Sequence, residues 1–306
     1  MLKTKAIRKI FTTTLSMFII LTIFTFPLTS KEKNILRTNL EIEDVTNLTT
    51  DKVYLLNKDN LLVRTDIFLD GKNKLDKAKN IIEYLIINNE KIPKGLNGYI
   101  PKNTKLLNIK EEESKIILDF SKEFKNYNQN QEKQIITGIV FSLMEIDEIE
   151  SITILVEGNY LDKYREPLNK NIGINNQYFL NSRNDLNKVV LYYQDNIENN
   201  LYYVPVTKYL NDKREKVEII IDELKNNNSS SNLISYLNNN LELIDHKEES
   251  DVLFLNFNDY LIDKNDEVTK NTLNSIAYSV LENYDVNMVM FEVDNKEVSY
   301  ISKKDM

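Results

Sequence analysis

At 306 residues and 42% hydrophobic composition, the chain is long enough for about two cored domains and too apolar for wholesale disorder. The net charge is −8, and −12 once Lys3, Lys5, Arg8 and Lys9 at the N-terminus are set aside, so an acidic body argues against nucleic acid as a partner. With no cysteine, the sequence excludes disulfides, thiolate metal sites, cysteine nucleophiles and a lipid-bearing N-terminal cysteine.

The four cations precede 21 uncharged residues, IFTTTLSMFIILTIFTFPLTS, between Lys9 and Lys31. At about 1.5 Å per residue such a helix reaches roughly 30 Å, the thickness of a hydrocarbon core. The cations should keep its start in the cytoplasm. Residues 1–30 are therefore expected to anchor the chain in the cell membrane as a single pass, with the remainder outside the cytoplasm. Cleavage as a signal peptide, which would secrete the remainder, is the alternative; Leu28, two places before Ser30, fits a cleavage site poorly. Residues 31–50 are polar and read as a linker.

Residues 51–165 read as a first domain. KVYLLN and LLVRTDIFL flank the turn-like KDN, a hairpin pattern. From Lys74 to Asn88 the apolar positions Ala78, Ile81, Ile82, Leu85 and Ile86 have helical spacing. IPKGLNGYIPKNT, with two glycines and two prolines, ends that helix. KLLNI and KIILDF follow as strands joined by the acidic turn KEEES. Residues 131–146 read as a second, more buried helix with Ile135, Ile139, Leu143 and Ile146 along one side, and SITILVEGNYL closes the unit as a strand running into a turn.

Residues 166–186 are a polar join in which Ile172, Tyr178, Phe179 and Leu180 are the docking candidates. Residues 187–302 then repeat the first unit. KVVLYY begins at Lys188 against Lys52, an offset of 136; LYYVPVTKYL is its hairpin partner. Val217, Ile220, Ile221 and Leu224 form a helical stripe. KNNNSSSN reads as a loop. Tyr236 follows Tyr99 by 137 residues, Asn256 follows Asp119 by 137, and a helix over 267–283 sets Ile276 against Ile139. VNMVMFEVDNKEV ends the unit. A solenoid would repeat every 20–50 residues or so; this period is domain-sized. The expected fold class is α/β (α+β): two tandem small domains, each a mixed sheet with two helices in the order strand-strand-helix-strand-strand-helix-strand.

The most exact repetition is KIILDFSKEF against DVLFLNFNDYL. Leu118 and Phe120 match Leu255 and Phe257, a core pair; Asp119 and Asn256, like Ser121 and Asn258, suit backbone hydrogen bonding at a turn. Asp119 with Glu123 could be read as a glycosidase carboxylate pair, but the second copy has Asn256 and Tyr260 there. His246 is the sole histidine, in a segment polar enough to be a turn, and cannot alone make a metal site. KEEESK and DKNDE lack the ligand spacing and central glycine of a calcium loop. Asn47-Leu48-Thr49 and Asn228-Ser229-Ser230 match a glycosylation pattern and read as plain polar loops. No catalytic, cofactor-binding or metal-binding residue is assigned.

In the first copy, AKNIIEYLI, GLNGYIPKNTKLLNI, KIILDFSKEF and ITILVEGN occur in an order that resembles the GerM domain family of sporulation and spore germination proteins. The likeness spans about residues 51–163, and more weakly 187–299, where Asn238 replaces Pro101 and Asn295 replaces Gly158. The resemblance implies a ring-building-type fold, no enzymatic activity and no cofactor. It further implies an envelope role between mother cell and forespore, with other sporulation envelope proteins as partners; peptidoglycan is the alternative partner.

Overall fold

The computed structural model describes residues 50–176, 186–226, 233–262 and 268–306. The expected anchor, the 31–49 linker, residues 178–180, the Asn228 tripeptide and DKNDE lie outside them. Among the described residues no helix is long and apolar enough to cross a membrane.

The first copy runs β1 (Asp51–Leu56), β2 (Leu62–Ile67), α1 (Lys74–Tyr84), β3 (Leu106–Glu112), β4 (Lys115–Phe120), α2 (Glu132–Leu143), β5 (Ser151–Val156) and β6 (Asn159–Tyr160). The second runs β7 (Asn187–Ile197), β8 (Asn200–Leu210), α3 (Lys216–Lys225), β9 (Leu243–Glu249), β10 (Val252–Phe257), α4 (Lys270–Asn283), β11 (Met288–Val293) and β12 (Lys296–Ser302). The fold is the expected mixed α+β, with one addition: each copy closes on a sixth strand. Two-residue turns through Glu157-Gly158 and Asp294-Asn295, all at positive φ, fold β6 and β12 back on β5 and β11. These are the hairpin turns whose twist matches adjoining strands.

Local chemistry explains the helix limits. Asn73 caps α1 by accepting from the Asp76 amide at 2.9 Å. The helix stops at Tyr84, short of the expected Asn88, because Ile86 bridges to Ile100 instead. Helix α2 is not amphipathic as its spacing suggested: every residue from Ile135 to Leu143 is buried. The reason is packing on two sides, against β1 and against β5. Helix α4 lies likewise between β7 and β11.

The strands form three four-stranded sheets. Two belong to single copies, in orders β3-β4-β5-β6 and β12-β11-β10-β9, with β4 parallel to β5 and β10 parallel to β11. The third is shared, in order β1-β2-β8-β7. Each copy supplies a hairpin, and the equivalent strands β2 and β8 meet antiparallel with Arg64 opposite Tyr203.

The join is partly core. Leu168 bridges to Ile152, Ile174 is fully buried, and the Thr207 amide donates to the Ile174 carbonyl at 2.8 Å. Asn175 serves as a substitute strand neighbour: it accepts from the Leu62 amide at 2.8 Å and donates to the Leu62 and Pro205 carbonyls at 2.8 and 2.7 Å.

His246 corrects its expectation. It sits on edge strand β9, opposite Leu255, and not in a turn. Charge hides this strand, although its counterpart β3 is legible as KLLNI.

Candidate functional site

The repeated phrase is a backbone clamp. The Asp119 carboxylate accepts from the Gly158 amide at 2.9 Å, tying the end of β4 to the turn after β5. Asn256 repeats this, accepting from the Asn295 amide at 3.1 Å, with its own amide nitrogen donating to the Asn295 side chain. Gly158 holds φ +74 with open space around it, so backbone freedom explains the glycine; Asn295 holds φ +60, which asparagine tolerates. Two positions on, the Ser121 hydroxyl accepts from the Lys105 amide at 3.0 Å and Asn258 accepts from the Glu242 amide at 3.2 Å, fixing the starts of β3 and β9. Asp119 is thus engaged with backbone; Glu123, four residues on, is half-buried, and Tyr260, at the matching position of the second copy, is exposed. The Glu123 carboxyl is lowered by the Ser121 hydroxyl and its own backbone amide. Among the described residues no three His, Cys, Asp or Glu side chains gather as metal ligands.

The polar group that unites the two copies was not singled out from the sequence. Tyr54 on β1 and Tyr192 on β7 are both fully buried and bring their hydroxyls to 3.5 Å. Each receives the same support: the Tyr54 amide donates to the Ser142 hydroxyl at 2.9 Å, and the Tyr192 amide to the Ser279 hydroxyl at 2.8 Å. This equivalence sets the strand offset at 138, two residues beyond the Lys52–Lys188 match; a shift of two keeps the same face inward.

The tyrosine hydroxyls donate to Glu145 at 3.1 Å and Glu282 at 3.4 Å, the residues just past the ends of α2 and near the end of α4. Lys170, set in the join by the Asn169-capped turn, bridges both carboxylates at 3.0 and 3.1 Å. Arg64 reaches Glu145 at 3.4 Å and lies over the Tyr278 ring. Two cations therefore meet two carboxylates. Burial alone would raise the Glu145 carboxyl, but Lys170 and Arg64 overcome it and hold it down to about 2. Burial likewise opposes the charge of Lys170, and Glu145 with Glu282 holds it above its ordinary value. Burial first, then the neighbouring Glu145, pushes the Tyr54 phenol well up. A second buried contact joins equivalents at offset 138: the Asn57 amide donates to the Asp195 carboxylate at 2.8 Å.

Such a cluster is costly to desolvate and is satisfied only while both copies are in place. Its chemistry is fastening. The one signal that could have found it is the recurrence of Glu145 at Glu282, offset 137, just where each long helix ends.

A family model described as Germane, sporulation and spore germination, matches residues 52–162 and 190–299. The spore germination protein GerM of Bacillus subtilis (strain 168) is 27% identical over 263 residues, covering 80% of this chain and 71% of that protein. The solved tandem GerMN domains of the sporulation protein GerM from Bacillus subtilis align with a TM-score of 0.75 at 25% identity, over 84% of this chain and 95% of that one.

Proposed function

The chain belongs to the Germane family of sporulation and spore germination proteins, and from that membership we propose that it acts in sporulation or germination as a non-catalytic docking platform of the cell envelope. One observation carries the docking reading. Strands β3 and β9 are equivalent edges of their sheets, and each turns a large aliphatic outward at the same repeat position: Leu107, 50% exposed, and Ile244, 56% exposed. Edge strands are ordinarily blunted with charge because they invite pairing. An aliphatic kept exposed on both edges suits partners that add a strand there. In this reading the N-terminal segment anchors the body at the membrane with both copies outside the cytoplasm, and other sporulation envelope proteins are the partners.

The test places a photo-crosslinking residue at Leu107 or Ile244 and irradiates sporulating cells. Envelope-protein adducts at both positions support docking. Adducts at neither, with the protein present and folded, count against it, and turnover of cell-wall fragments by the purified chain would remove the non-catalytic reading. A second reading, a peptidoglycan-binding module, is favoured by an amide-lined cavity beside α2. Sedimentation of the chain with isolated peptidoglycan is its test.

A further inference from the structure

The described part of the first copy holds a cavity of about 270 Å³ between the β1–β2 turn, α2 and the join. Lys133, Gln134 and Thr137 line it, spaced as one stripe along α2, with Asn130 from the turn just before the helix. Lys133 and Gln134 sit in the half-buried first turn, but Thr137 falls in the fully buried length of the helix, so its polarity needs a reason. Thr137 is 2% exposed and its hydroxyl has no hydrogen-bond partner among the described residues. Buried polar groups are rarely left so. The wall opposite is built firmly, since Asn175 is fixed by its three bonds to Leu62 and Pro205.

The second copy does not repeat this arrangement. At the position of Thr137 stands Asn274, which donates to the Tyr203 hydroxyl at 2.8 Å. The residues of the join that close the cavity, Gly173, Asn175 and Asn176, belong to a segment that occurs once in the chain.

We propose that this cavity binds a single neutral sugar unit bearing an acetamido group. Side-chain amides and a hydroxyl both donate and accept, as do sugar hydroxyls and an acetamido group, while Leu61 and Leu62 offer apolar surface to a ring face or methyl. The volume lies just under the roughly 300 Å³ at which drug-sized pockets begin, so one ring is the fitting size. Asp59 on the lining opposes an anion. Burial pushes the Lys133 ammonium down to about 8. The Lys133 ammonium already donates to Asn176 at 2.9 Å, which orients it.

The proposal rests on the glycan-binding reading and is separate from docking through β3 and β9. It is tested by saturation-transfer NMR and calorimetry on the full chain with N-acetylglucosamine, glucose and inorganic phosphate. Millimolar or tighter binding of N-acetylglucosamine, weaker binding of glucose and none of phosphate is expected. Thr137→Val keeps the shape, removes the orphan hydroxyl, and should weaken the sugar about tenfold or more without lowering the melting temperature. Lys133→Met, on the more exposed side of the stripe, should also weaken it and serves if the first variant fails to fold. No binding of N-acetylglucosamine, preference for phosphate, or unaltered binding in a folded variant overturns the proposal. Sedimentation with peptidoglycan without binding of the monosaccharide would overturn this cavity assignment while leaving the glycan-binding reading standing; loss of both removes both.

Discussion

Tyr54 and Tyr192, the same residue of the two copies, meet hydroxyl to hydroxyl 3.5 Å apart, with a glutamate of each copy behind them and Lys170 between those glutamates. The contact makes the two halves energetically one, and the first predictions concern it.

Lys170→Met leaves Glu282 without its cation and Glu145 with Arg64 alone. Removing one partner of a buried ion pair costs about 3–5 kcal/mol. Glu145→Gln should cost a similar amount, since two cations lose their shared partner. Urea unfolding of the purified protein should show both losses, whereas neutralising the exposed pair Lys79–Glu83 should change stability by less than about 0.5 kcal/mol.

Acid should find the same cluster. The Glu145 carboxyl is held at about 2 in the folded protein, against about 4.3 in an unfolded chain. Its contribution is complete above the unfolded value and disappears as pH falls from about 4.3 to about 2, on the order of 3 kcal/mol in all. Lys170 has the opposite sign: raised when folded, it contributes fully below about 10.4 and is lost above that. Urea midpoints measured across pH should drop in acid, and Glu145→Gln should flatten that drop.

Gly138→Ala should destabilise the first copy. A Cβ there would stand 2.4 Å from the Tyr99 ring, which is buried and cannot swing away. Alanine gains about 1 kcal/mol of helix propensity, but overpacking costs about 1–3 kcal/mol, and at this distance the clash wins. The second copy shows the alternative: Ser275 replaces the glycine, takes a bond from Gln194, and Tyr236 is exposed. In a Tyr99→Leu background the alanine penalty should vanish in a double-mutant cycle.

At the clamp, Asp119→Asn should be nearly neutral, since Asn256 makes the equivalent bond. Asp119→Ala should cost about 0.5–2 kcal/mol, as for a lost cap. Leu118→Ala, at a fully buried position, should cost about 2–5 kcal/mol. Denaturant melts give the ranking, and any other order would deny the clamp its backbone role.

The strands and helices of each copy were legible because their information is local. Alternation marks β1, β2 and β4, helical spacing marks α1 and α3, and the 137-residue offset reinforces the weaker elements. Strand β9 was masked by Asp245, His246, Lys247, Glu248 and Glu249, which an edge strand accepts on its solvent side. Strand β12 was masked in the same way by KEVSYIS. The shared sheet had no local signal at all. Its central pairing joins residues as far apart as Arg64 and Tyr203, and Arg64, Lys170 and both glutamates look like ordinary surface charges in sequence. Asp119 was legible as a backbone acceptor, but its donor lies 39 residues on, beyond a helix.

The antiparallel meeting of β2 with β8 has a consequence for how the body assembles. Equivalent strands laid side by side in opposite directions make the self-complementary contact of a two-fold dimer. Between separate chains such a contact would dissolve on dilution. Here residues 166–186 carry one half to the other, so the pairing is governed by a fixed effective concentration and not by how many molecules the cell makes. The same pairing also closes the β2 and β8 edges that would otherwise recruit a further copy, leaving β1 and β7 as the edges of the shared sheet.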